Sequence, residues 1–446
     1  MTELDNLTII DQTRPDQTTY DFLYDKEDYL QPHRLNTNHL EDKALSFRVI
    51  NGSYVLPFPD SVEDGSGMFS NDGLYVKGSS LWNGGIYTAD YASLSAIADK
   101  RRLDLSRVPR KNQTVIFAGT LLNIWGHFIT DCMRLIWFLR SQECAEKFSG
   151  LQVIYIPDAM FKMSGNHKRF LEIMGIDTSR MIPVTELTFY DKVILPDECF
   201  FSRKDGERFF TREYVDMFNT VRDFADANAK PTTSDRIYYS YSRYKNGKVF
   251  GEDKLEKYFA SKGYRIIGPE TLSLDEQLNV LANAKSFAST VGSCSHNVLF
   301  LRDGTEVILI PRGCYRNPYQ IALNHVHSLN VSYVDSSFSI FMGRIGSEGP
   351  FLYYISSNLK RYFHDEDTRC VVNASDFRRY ISSSAKADNP DAYKYYSVVA
   401  AEYFGKLFAD SWRGRLRHII VGIKETLKRS SSIKKFVRSV KMWLRK

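Results

Sequence analysis

Between residues 113 and 320 the chain alternates short, unbroken apolar runs with longer segments in which apolar positions return every three or four residues. The runs 114–119, 151–157 and 192–196 have the length and composition of strands. Between and after them, the almost wholly apolar segment 121–140 and the periodic segments 161–174 and 208–228 read as helices. The rhythm breaks at Ala229-Lys-Pro-Thr-Thr-Ser234, a linker composition, and then restarts. Strands are expected at 236–241, 264–267, 286–290 and 306–311, and helices at 252–262 and 274–284. The second of these helices opens on the capping-box sequence Ser273-Leu-Asp-Glu276. Strands alternating with helices imply parallel βαβ units. The expected fold class is therefore α/β: two Rossmann-like domains, 46–230 and 231–345, facing a cleft.

The flanks follow other patterns. Residues 1–45 are polar with weak periodicity, as in an extended arm. From Phe47 to Tyr91 apolar runs alternate with turn pairs such as Asn51-Gly52 and Asp72-Gly73, a small β-rich subregion at the edge of the first domain. Residues 346–410 read as a helical closing segment. In 411–446, Leu416, Ile419, Ile420, Ile423 and Leu427, then Ile433, Phe436, Val437, Val440, Trp443 and Leu444, keep helical spacing with Lys and Arg on the other faces.

Charge sharpens that last picture. The tail 411–446 holds 12 Lys/Arg against one acid, a net of +11 within a formal total of +6, so the body is acidic by 5. A basic amphipathic tail with a terminal Trp suits an anionic membrane surface. Docking on the acidic body is the alternative reading. The apolar stripe and the lack of a recognised binding module argue against nucleic acid. The first residues lack a basic, then apolar, export signal, so a cytoplasmic chain, peripheral on the inner face of the plasma membrane, is expected. The six dispersed cysteines form no C-x-x-C pair and no metal-ligand spacing, so reduced thiols and no bound metal are expected.

Three segments carry possible chemistry. In the apolar stretch 121–139, Asn123, His127 and Asp131 stand four apart and Arg134 three further on, one polar stripe on a helix. Such a stripe fits a core network in which Arg134 neutralises Asp131; it equally fits a general base, either Asp131 or His127. Ser289-Thr-Val-Gly292-Ser293-Cys-Ser295-His296-Asn297 runs from a strand through a small-residue turn into a helix start, a place where backbone N–H groups favour phosphate. It also reads as an ordinary capped turn. Ser240-Tyr241-Ser242-Arg243 ends the second domain's first strand, with Glu252 beyond, and Arg243 can pair bidentately with a diphosphate.

Taken in order, these residues resemble glycosyltransferase family 61, which includes bacterial capsule enzymes. The shared features are N-x-x-x-H-x-x-x-D at Asn123, His127 and Asp131; Tyr-Ser-Arg at Tyr241, Ser242 and Arg243 followed by Glu252; and the glycine turn ending in Asn-x-x-Phe at Gly292, Asn297 and Phe300. The resemblance covers about residues 47–320 and departs from the family in the turn Thr290-Val-Gly-Ser-Cys-Ser-His. It implies an inverting, metal-independent, two-domain (GT-B type) transferase without cofactor, its first domain on the acceptor side. The donor, a nucleotide sugar, would be held in the second domain by Arg243, Glu252, Gly292, Ser293, Ser295, His296 and Asn297. His127 and Asp131 would be catalytic, with Asn123, Arg134 and Ser242 in support. A glycan or lipid-linked acceptor in capsule or exopolysaccharide synthesis is the expected partner. A non-catalytic scaffold that binds a glycan or nucleotide sugar is the alternative function.

Overall fold

A computed structural model describes residues 39–58, 66–80, 93–203, 206–242, 248–312, 317–338 and 349–367, isolated positions up to 383, and the backbone of three short strands within 9–35. Arg243 and the whole of the tail 411–446 lie outside the described residues, as does most of the closing segment.

The chain forms an α/β structure built on two six-stranded sheets. The first contains β1 (Phe47–Leu56), β2 (Gly67–Ser70), β3 (Arg110–Leu121), β4 (Gln152–Pro157), β5 (Met181–Pro183) and β6 (Thr188–Pro196), in the order β2-β1-β6-β3-β4-β5. β3 lies parallel to both β4 and β6. The β-rich region after Phe47 supplies the antiparallel edge, with β1 paired to β6 and β2. A hairpin, β7 (Phe200–Ser202) and β8 (Arg208–Phe210), follows.

The second sheet contains β9 (Arg236–Tyr239), β10 (Arg265–Ile267), β11 (Ser286–Thr290), β12 (Glu306–Ile310) and β13 (Asn330–Val334), all parallel, in the order β10-β9-β11-β12-β13. In chain order this is 2-1-3-4-5, a doubly wound arrangement whose strand order reverses between β9 and β11, and ligands of such sheets bind beyond the strand ends at that point. The polar arm has a part in the fold that its composition does not announce. Ile9–Gln12 pairs antiparallel with β13 and closes the sheet edge.

The unbroken apolar runs arise because the central strands are covered on both faces. Ile116 and Ala118 of β3, Phe287 of β11 and Val307 and Leu309 of β12 all enter one core. Their alternates Val115 and Phe117 pack on the far side of the first sheet, and Ala288, Ile308 and Ile310 on the far side of the second. The shared core runs through both sheets by way of helices Gly165–Ile173, Arg212–Ala227 and Leu274–Ala282. Phe300 of the second half touches Phe170 and Phe218 of the first, with ring centroids 5.9 and 5.8 Å apart. Two Rossmann-like domains facing a cleft were expected; the described residues share one principal core across both sheets.

The expected helix over 121–140 is corrected. β3 runs on to Leu121, helix α1 occupies only Trp125–Ile129, and Asp131–Arg140 continues in tighter 3-10 turns. The break is at Thr130, whose backbone (φ −110°, ψ −95°) is not helical and whose hydroxyl donates back to the Gly126 carbonyl at 2.8 Å.

Candidate active site

Although the helix breaks between them, His127 and Asp131 remain in contact: His127 Nδ1 lies 2.8 Å from Asp131 Oδ2. An ionised carboxylate only accepts, which places the imidazole proton on Nδ1 and makes Nε2 the accepting nitrogen. The two side chains differ in access. Asp131 is 7% exposed and His127 35%, so the imidazole is the member that meets solvent. Asp131 Oδ1 is also engaged, accepting from the Tyr319 hydroxyl at 3.0 Å.

Neither end of the expected polar stripe joins this pair. Asn123 precedes α1, is exposed, and donates its backbone N–H to Asp158 Oδ2 at 2.8 Å. Arg134 is buried, ion-pairs with Glu198 and donates to the Ser79 carbonyl at 3.3 Å, so it does not neutralise Asp131. Although 3-10 turns keep positions three apart on one face, Glu198 and the Ser79 carbonyl take the guanidinium instead.

The second constellation sits beyond the ends of β9, β11 and β12. Gly292, just after β11, has φ of 150°. A Cβ there would stand 2.4 Å from Arg312 Nη2 and 2.6 Å from its Cζ, so the missing side chain is what lets the guanidinium lie against the turn. Arg312 is held between aromatic rings, 5.0 Å from the centroid of Tyr241 and 4.8 Å from that of Phe351.

Close to it, Glu252 is fully buried and its Oε1 accepts from Tyr241 N–H at 2.9 Å and from the Tyr238 hydroxyl at 3.2 Å. Burial pushes its carboxyl up to about 7 against the opposing pull of the Tyr241 N–H and Arg312. Around this spot the Tyr353 hydroxyl lies against Thr290 and Arg312, and Glu252 Oε2 lacks a protein partner. An unpaired buried carboxylate oxygen is costly unless something bonds to it.

The remaining turn residues are mostly committed within the protein. Ser295 Oγ accepts from Gly292 N–H at 2.8 Å. Asn297 donates to the Cys294 carbonyl at 2.8 Å, and its Oδ1 accepts from Trp125 Nε1 at 3.1 Å. Ser242 bonds Ser240 and Glu256. His296 is buried against the Gly126 backbone, and desolvation lowers it to about 3, so it is neutral.

The two constellations adjoin. Besides the Trp125–Asn297 bond, Gly126 packs so tightly on the turn that a Cβ would lie 2.7 Å from Ser293 Oγ and 3.0 Å from His296 Nδ1. The structure thus brings His127 and Asp131 together with Gly292, Ser293, Ser295, His296 and Asn297, and places Glu252 on the far side of Gly292. Sequence reasoning missed Arg312, Tyr319 and Gly126. A signal for Arg312 existed, because it lies two residues past the end of a strand, as Ser242 and Arg243 lie just past β9.

The sequence model of the family described as Glycosyltransferase 61 matches residues 125–308, a span from the first residue of α1 into β12. No curated protein matches the chain.

Proposed function

Because the glycosyltransferase 61 family model matches residues 125–308, we propose that this chain is an inverting transferase of that family whose base is His127, oriented by Asp131, and whose nucleotide-sugar donor binds by Gly292 and Arg312. One observation carries the reading: α1, which bears His127, packs directly on the 292–297 turn, so the candidate base adjoins the turn at the strand ends. The halves act as two Rossmann-like units of GT-B type around that seam.

In the step, an acceptor hydroxyl gives its proton to His127 Nε2 as its oxygen bonds to the anomeric carbon. The bond from that carbon to the diphosphate breaks on the opposite face, and the electron pair leaves with the nucleoside diphosphate. Configuration inverts. Asp131 fixes the imidazole tautomer and stabilises the imidazolium that forms. Arg312, joined by Arg243, offsets the departing charge as a metal ion does elsewhere, so no metal is required. Ser293 and Gly292 bring the turn close to the phosphates.

The acceptor is a glycan or lipid-linked glycan of capsule or exopolysaccharide synthesis. The basic tail places the enzyme at the inner face of the membrane. The buried free thiols Cys132, Cys144, Cys199 and Cys294 suit a reducing compartment.

The test is a thermal-shift screen of nucleotide sugars on the full chain, with Arg312→Ala, Arg243→Ala and His127→Ala alongside. One donor is expected to raise the melting temperature of wild type and His127→Ala, and to lose its effect in Arg312→Ala, while His127→Ala abolishes transfer. If no nucleotide sugar stabilises the protein, the scaffold reading replaces this one.

A further inference from the structure

Tyr319 belongs to the second half of the chain, on helix Pro318–Asn324, yet its hydroxyl reaches the pair on the first half. Asp131 is bonded on both oxygens, Oδ2 to His127 at 2.8 Å and Oδ1 to Tyr319 at 3.0 Å. Arg208, at the start of β8, donates Nη2 to the same hydroxyl at 2.6 Å and lays its guanidinium 4.3 Å from the ring centroid. Arginine cannot accept, so the phenolic proton goes to Asp131. The ring also stands edge-on to His127, 5.9 Å away at 86°, and is stacked on Phe200.

We propose that Tyr319 is a positioning residue that sets the basicity of the His127–Asp131 pair, and that Arg208 tunes it by polarising the hydroxyl. This rests on His127 being the base. A donor on one carboxylate oxygen draws negative charge away from the other. The imidazolium of His127 is then stabilised less, and the neutral, proton-accepting form persists to lower pH. Among the described residues, the titratable groups facing His127 include Asp131 on its own segment, Tyr319 from its helix and neutral His296 from the turn, with Arg208 behind Tyr319. Because Tyr319, Gly292 and Arg312 share one half, the half that holds the donor also tunes the base.

The experiment is an NMR titration of the full chain labelled in histidine, with the His127 signal assigned from His127→Gln, and it needs no substrate. Tyr319→Phe keeps the ring and its stacking but removes the proton on Asp131. The His127 imidazole is expected to hold its proton to higher pH in Tyr319→Phe than in the wild type, and to a smaller extent in Arg208→Gln. The acidic limb of kcat/KM should follow it upward, with kcat down by about tenfold from lost alignment. An unchanged His127 pKa in both variants, with melting temperatures intact, overturns the proposal; if Tyr319→Phe does not fold, Arg208→Gln alone decides it. The base reading fails separately: transfer that survives His127→Gln sinks it whatever the titration shows.

Discussion

Glu252 is a carboxylate sealed inside the protein, and its cost should be visible in solution. Its folded pKa, near 7, stands above the ordinary value of 4.5 because burial disfavours the charge. The folded state therefore holds a proton that the unfolded chain has released between about pH 4.5 and 7, and stability falls as pH rises through that window. Glu252→Gln cannot ionise, so its melting temperature should decline less than that of wild type between pH 4.5 and 7.5. Parallel profiles for the two proteins would mean that Glu252 is already ionised when folded. Single residues were unevenly legible in the sequence. The four-residue step from His127 to Asp131 survived the broken helix because their side chains still meet across Thr130. Arg134 deceived, since its partner Glu198 is 64 positions away and no local spacing reports it. Asn297 looked like a ligand contact, and its carboxamide is spent on Trp125 and Cys294.

At the scale of elements, helix–helix contacts bind the sheets. Arg169 of the first half pairs with Asp275 of the second, and Asn166 Oδ1 accepts from Leu274 N–H at 2.9 Å. Phe300, buried between Phe170 and Phe218, is the aromatic link across that seam. Phe300→Ala should cost about 3–5 kcal/mol in chemical denaturation. A single transition moved to lower denaturant is expected; two separated transitions would mean that the halves unfold independently. Strand positions were legible to within a few residues, because β-branched runs bounded by turns leave little choice. The capping box at Ser273 and Glu276 forms as its sequence implies. The segment 121–140 was not legible. Burial on all sides removes the periodicity that distinguishes one long helix from a short one followed by tighter turns.

For the molecule as a whole, charge separates the tail from the body, +11 against −5. Among the described residues no helix is long and apolar enough to cross a membrane, so any hold on lipid must come from elsewhere. The full chain should co-sediment with vesicles containing phosphatidylglycerol, weakly with neutral phosphatidylcholine, and less as salt is raised. Removing residues 411–446 should abolish that binding and leave the melting temperature unchanged. A drop in melting temperature without lipid would show that the tail packs on the body instead. The core that passes through both sheets has a further consequence for anyone wishing to alter the sugar transferred. Where two halves are cored separately, one can be exchanged between relatives like a cassette. Here a transplanted half would leave Phe170 and Phe218 facing a stranger in place of Phe300, and Asp131 would lose its bond from the Tyr319 hydroxyl. Redesign of specificity in this chain has to proceed by loops at the strand ends, with the seam left whole.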